Sequence, residues 1–291
     1  MNEEIKWKLK DIVIKITSPL IKTKKIRYKY GLNTTEERET RIILSLTSFP
    51  FRFPTLHICL NSLLHQIVKP DKIIVWLDDY VEEKDFTEEM IKLKDYGVEY
   101  RKVPVDLKPH KKYFWALQEF SDCIVITVDD DLLCPKTLIS SLIKSYEKYP
   151  RCISARRVQK ILWDEENNLL PYNKWKWYYI KSIKPRFDLL ATGVGGVLYP
   201  PHILPEETFD IDKICNLSLH ADDIWLKFME LKNDIPVVWS KCLIIHPPII
   251  GGTQQIALKN TNVNKHRNDY IIANMVKEYP ECKEKIISKQ Y

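Results

Sequence analysis

Between residues 41 and 131, four strand-patterned segments alternate with three helix-patterned segments, and the last strand segment is followed by three consecutive aspartates. The strand segments are 41–47, 72–77, 98–103 and 123–128. The last (CIVITV) is apolar almost throughout, as expected of a strand covered on both faces. The intervening segments 55–67, 86–96 and 110–120 carry apolar residues at helical spacing; Pro70 lies beyond the first and Gly97 closes the second. A further helix is expected from Pro135, in its first turn, to about Tyr146. Strand–helix alternation joins parallel strands by right-handed crossovers. The expected fold class is therefore α/β, a Rossmann-like, mostly parallel sheet flanked by helices.

The second half is less regular. Aromatic residues crowd the stretch from Trp163 to Phe187, and Asp222 and Asp223 open a predicted helix over 221–231. Short strands are expected at 237–240 and 243–245, and a last helix at 269–278. No Gly- or Ser-rich linker and no internal repeat divides the chain. One domain over residues 31–291 is expected, preceded by a basic amphipathic arm over residues 1–30.

That arm explains the net charge. It holds nine basic and three acidic residues, the whole of the +6 excess, so the remainder is formally neutral. A neutral domain argues against nucleic acid as a partner. The arm has two readings: a solvated helix packed on the domain, or a contact with an anionic membrane surface, where each Lys contributes roughly 1 kcal/mol. Seven dispersed cysteines without a C-x-x-C pair point to reduced thiols rather than a disulfide framework or structural zinc. No apolar stretch approaches the roughly 18 residues of a membrane span, and no secretory signal opens the chain. The expected location is cytoplasmic, with peripheral attachment at the inner face of the membrane left open by the arm.

Asp129, Asp130 and Asp131 stand where ligands bind in open α/β sheets, beyond the carboxyl end of a strand. Three carboxylates there repel one another and call for a cation, and oxygen ligands suit Mg²⁺ or Mn²⁺. His246, at the end of an apolar run, is a candidate third ligand. Lys108, His110 and Lys112 lie just before a predicted helix, a setting that suits a diphosphate. Lys265, His266 and Arg267 form a second candidate phosphate clamp. Asp222 and Asp223 either complement a helix dipole or supply a general base. Five of only seven glycines fall at 193, 195, 196, 251 and 252, which suggests backbone that approaches something closely.

The residues Ser45-Leu46-Thr47-Ser48-Phe49-Pro50, Pro109-His110-Lys111-Lys112-Tyr113, Ile126-Thr127-Val128-Asp129-Asp130-Asp131, Gly195-Gly196 and Asp222-Asp223-Ile224-Trp225-Leu226 occur in an order that resembles GT-A-fold glycosyltransferases. The chain is similar to the bacterial family-2-like enzymes that build surface polysaccharide, over about residues 41–245. The resemblance implies a nucleotide-sugar donor, with a UDP-sugar favoured, a Mn²⁺ or Mg²⁺ ion, and a glycan or lipid-linked acceptor. It implies a nucleotide-sugar half at about 41–135 and an irregular acceptor half at about 136–291. By position, Asp129 and Asp131 match the D-x-D carboxylates. Asp131 would be the more direct metal ligand, and Asp129 or Asp130 would face the ribose or sugar. Thr47 would contact the base and Asp79 would hold uracil. Asp223 matches the acidic base, with Asp222 the alternative, in an inverting transfer. The aromatic stretch would line the acceptor groove. A phosphohydrolase or nucleotidyltransferase using the same aspartates, and a non-enzymatic membrane-binding protein, are the competing readings.

Overall fold

The computed structural model describes residues 30–244, 246–253 and 267–288. The basic arm, apart from Tyr30, and Lys265 and His266 of the second clamp lie outside the described residues.

The first half follows the expected alternation. Strand β1 (Ile42–Thr47), helix α1 (Phe53–Leu64), β2 (Lys72–Asp78), α2 (Glu88–Lys94), β3 (Val98–Val103), α3 (Lys111–Glu119), β4 (Ile124–Thr127) and α4 (Leu138–Lys148) succeed one another. Local chemistry sets the ends. In α2 the Thr87 side chain caps the Met90 N–H at 3.2 Å, with Glu88 and Glu89 in the first turn and Lys92 and Lys94 in the last. Strand β4 is buried along its whole length, as its apolar run requires.

The second half completes the same sheet. After β5 (Ile153–Ala155), β6 (Val158–Lys160), β7 (Leu189–Ala191), β8 (Val197–Tyr199), α5 (Asp222–Lys232) and β9 (Val237–Trp239), two helices, α6 (Arg267–Glu278) and α7 (Pro280–Ser288), close the described chain. The seven-stranded sheet has the order β3-β2-β1-β4-β8-β5-β9. Strand β8 alone runs against its neighbours β4 and β5. Strands β6 and β7 form a separate antiparallel pair. From β1 the chain first builds outward to β2 and β3, then crosses to β4 on the other side. The switch point thus lies between β1 and β4. The loops after these two strands, carrying Ser48 and Asp129–Asp131, leave the sheet side by side.

One apolar core forms around α1, α2 and α4, with Leu56, Leu60, Met90 and Leu142 buried on β1, β2 and β4. A second gathers α3, α5, α6 and α7 around Trp225, Met229, Met275 and Ile286. Among the described residues, no helix is long and apolar enough to cross a membrane.

Two details differ from expectation. The run at 243–245 forms no strand at Leu243 and Ile244: both are exposed, Leu243 completely. Strands β5 to β8 and helix α7 were not expected; three-residue strands are too short to display a period.

Candidate active site

The site is organised around one buried ammonium. Lys112, in the first turn of α3, places its Nζ 2.8 Å from Asp129 Oδ1 and 2.8 Å from Asp222 Oδ2. It thereby ties the loop after β4 to the start of α5. Burial alone would favour a neutral amine, but Asp129, Asp222 and Asp223 outweigh it and hold Lys112 well above the ordinary lysine range. Serine chemistry fixes this corner of α3: Ser45 Oγ on β1 donates to the Lys112 carbonyl at 2.5 Å and accepts from Trp76 Nε1 at 2.8 Å.

The other two aspartates meet Arg52, just ahead of α1. Its Nη1 lies 3.2 Å from Asp130 Oδ1 and 3.0 Å from Asp131 Oδ2. Ser48 Oγ donates to Asp130 Oδ2 at 2.6 Å. Burial, with the neighbouring Asp131, still pushes Asp130 up to about 7 against the pull of Arg52. Burial and Asp129 likewise raise Asp131. The loop is thus short of positive charge even with Arg52 in place. Its hard oxygen donors and unbalanced charge fit a divalent Mg²⁺ or Mn²⁺ ion, which typically takes one or two carboxylates and completes its shell with water and substrate phosphates. Among the described residues, no three His, Cys, Asp or Glu side chains stand close enough to hold a metal by themselves.

The two aspartates of α5 are not equivalent. Asp222 is 6% exposed; its burial would raise the carboxyl, but Lys112 holds it below the usual range. Asp223 is half-buried and pushed up to about 7 by burial and by the charge of Asp222. A carboxylate poised near neutrality is suited to take a proton. Asp222 is already committed to Lys112.

Glycine is required next to this cluster. A Cβ on Gly193 would sit 2.6 Å from Lys112 Nζ and 2.8 Å from Asp129 Oδ1. Gly195 and Gly196 adopt φ of 108° and 96°, and Gly196 N–H donates to the Gly193 carbonyl at 3.1 Å. Gly193→Ala should pry the ammonium from Asp129 while leaving the sheet intact. We expect turnover to fall about 10²-fold, the cost typical of a displaced catalytic frame, with an unchanged circular dichroism spectrum.

Several expected residues stand elsewhere. His110 is fully buried, with its ring nitrogens 2.9 Å from Tyr113 OH and 2.8 Å from the Ser218 carbonyl. Burial lowers it to about 4, so it is a neutral structural histidine and not a phosphate ligand. Lys108 is exposed and pairs with Asp106. Asp79 is exposed; the buried carboxylate at the end of β2 is Asp78, paired with Lys111. Burial raises Asp78 against the pull of Lys111. Thr47 ends β1 and donates its hydroxyl to the Trp76 carbonyl at 2.9 Å. His246 is not gathered into a three-ligand cluster with Asp129 and Asp131; its Nδ1 lies 2.8 Å from the Pro247 carbonyl and its ring packs near Tyr178. Of the aromatic stretch, Tyr172, Trp175 and Phe187 belong to the core, whereas Tyr178 is exposed. Sequence reasoning missed Arg52 and gave Ser48 no role beyond its place in the Ser45–Pro50 motif; their position just after β1, at the same edge as the Asp triplet, was the available signal.

Comparisons with known proteins agree with this architecture. A sequence profile described as glycosyl transferase family 2 matches residues 51–197, half of the chain. No curated protein matches the sequence significantly. Among solved structures, a mannosyltransferase from Pyrobaculum calidifontis, in complex with GDP-Man and Mn²⁺, aligns with a TM-score of 0.51 at 10% identity, covering 97% of this chain and 76% of that one. S. aureus TarS aligns at 0.47 and 11% identity, covering 85% and 71%. A glucosyl-3-phosphoglycerate synthase from Mycobacterium tuberculosis aligns at 0.33 and 14% identity, covering 43% and 50%.

Proposed function

The chain belongs to glycosyl transferase family 2 and is a nucleotide-sugar-dependent glycosyltransferase, and from that premise we propose that it transfers a sugar, with inversion, to a hydroxyl of a glycan or lipid-linked acceptor. The observation that carries this reading is the Lys112 bridge. It ties the aspartate loop, through Asp129, to the start of α5, through Asp222 next to the candidate base Asp223, with 2.8 Å on either side of a single nitrogen.

In this mechanism Asp223 accepts the proton of the acceptor hydroxyl as that oxygen bonds to the anomeric carbon. The bond from the same carbon to the donor's diphosphate breaks, and the diphosphate leaves with the electron pair. Asp131, with Asp129, would hold the divalent ion, which when bound supplies positive charge to the diphosphate. Lys112 keeps Asp129 oriented and stays charged throughout. Asp222 raises the basicity of Asp223 without meeting the acceptor. Arg52 and Ser48 restrain Asp130 at the loop's inner wall. The presence of GDP-Man and Mn²⁺ in the Pyrobaculum relative supports both the donor class and the metal.

The test is thermal denaturation with UDP-, GDP-, CMP- and dTDP-sugars, with and without Mn²⁺. A UDP-sugar is expected to stabilise the protein only with the metal, by about 2.7 kcal/mol at a hundred times its Kd. Asp131→Ala should remove that metal-dependent part. If no nucleotide sugar shifts the melt in any metal, the proposal fails.

A further inference from the structure

Arg156 and Arg157 follow β5 directly and are 1% and 6% exposed. Charged side chains buried this deeply are ordinarily matched by an opposite charge. Among the described residues, no carboxylate forms an ion pair with either. Arg156 Nη2 donates to the Ile244 carbonyl at 3.1 Å, while its Nε and Nη1 and the Nε of Arg157 have no hydrogen-bond partner. The Arg157 guanidinium lies 5.5 Å from the Trp177 ring and 4.9 Å from the Tyr178 ring. Residues 254–266 contain no Asp or Glu.

The pair adjoins the reaction centre. Arg156 N–H donates to the Gly196 carbonyl at 3.2 Å, and Thr192 N–H donates to the Arg157 carbonyl at 3.2 Å. Both arginines are therefore stitched to the glycine turn that abuts Lys112 and Asp129. Trp177 packs edge-on to Tyr172, with ring centroids 5.8 Å apart. The charges of Asp223 and Arg157 both bear on the Tyr172 hydroxyl. Around that hydroxyl, Gln159 Oε1 and Asn268 Oδ1 are buried and have no hydrogen-bond partner.

We propose that Arg156 and Arg157 seat an anionic group of the acceptor, so that the sugar is transferred to a hydroxyl compound bearing a phosphate or carboxylate. The proposal rests on the glycosyltransferase reading above. A guanidinium presents a planar fork of donors that matches either oxyanion in a bidentate manner. Trp177 and Tyr178 hold the Arg157 fork in place. The cations that contact the aspartate loop, Arg52 and Lys112, are different ones, which leaves the arginine pair for the second substrate.

The probes are glucose 6-phosphate, glucuronate and methyl glucoside, titrated calorimetrically into the full chain with and without UDP and Mn²⁺. Wild type should bind at least one of the two anionic sugars and not methyl glucoside; the tighter of the two identifies phosphate or carboxylate. Arg157→Gln should weaken that binding at least tenfold while UDP binding is retained, which shows the variant folded. Arg157→Lys keeps the charge without the fork and should also weaken it. The proposal is overturned if neither anion binds wild type, if Arg157→Gln binds as tightly, or if UDP displaces the anion, which would give the arginines to the donor's diphosphate. Anion binding without any nucleotide binding would retain an oxyanion site but overturn its assignment to an acceptor.

Discussion

Asp223→Asn is expected to abolish sugar transfer, by about 10²–10⁴-fold, while leaving donor binding intact. The amide is nearly isosteric and keeps the start of α5, but it cannot accept the acceptor's proton. The pH profile supplies an independent check. Asp223 is pushed up to about 7 by burial and by Asp222. The base must be ionised to act, so the rate should rise with pH through about 7 and level off above it. Below that point it should fall about tenfold per unit, as for any single protonation. Asp222→Asn removes the neighbouring negative charge and frees Lys112 to attract Asp223, so the acid limb should move to lower pH. A wild-type rate independent of pH between 5 and 8, or an Asp223→Asn enzyme of undiminished turnover, would remove Asp223 as the base.

Lys112→Met should be costly to both stability and binding. Methionine fills much of the same volume but leaves Asp129 and Asp222 facing each other without the ammonium now 2.8 Å from each. Breaking a buried ion pair by removing one partner costs about 3–5 kcal/mol. At about 2–4 °C per kcal/mol for a chain of comparable size, the melting temperature should drop on the order of 10 °C. Nucleotide-sugar binding should weaken as well, because the aspartate loop loses its tether to α5. A calorimetric melt within about 2 °C of wild type would mean that the bridge does not hold the frame together.

The sequence made the first half of the sheet legible because β1, β2 and β4 are dominated by apolar residues and alternate with helices that have their own period. Strands β5 to β8 have three residues each and are defined by pairing rather than composition. The site was legible where residue type and chain position coincide, as at Asp129–Asp131, Lys112 and Asp222–Asp223. It was not legible where burial decides. His110 and Lys112 lie two residues apart in one basic stretch, yet one is sealed against Tyr113 and Ser218 and the other is clamped between carboxylates. Asp222 and Asp223 are adjacent, and only their different directions on the helix separate the residue that pairs from the one that faces out. Arg52 gave no motif, since its partners are distant in sequence.

Strand β8 has a consequence for how the chain reaches this state. It pairs with β4 at Thr127↔Val197 and with β5 at Ala155↔Val197, so one late segment is wedged between two earlier ones. The early β1–β4 unit can form by local crossovers, but its β4 margin stays open until residues 197–199 arrive. Such non-local closure slows folding, because loop entropy is lost before the contacts are gained. Until then a buried, aliphatic strand presents unpaired amides and carbonyls to any neighbouring chain. Fragments that stop short of β8 should therefore accumulate as insoluble material, whereas those that include it and β9 can hide that edge within their own sheet.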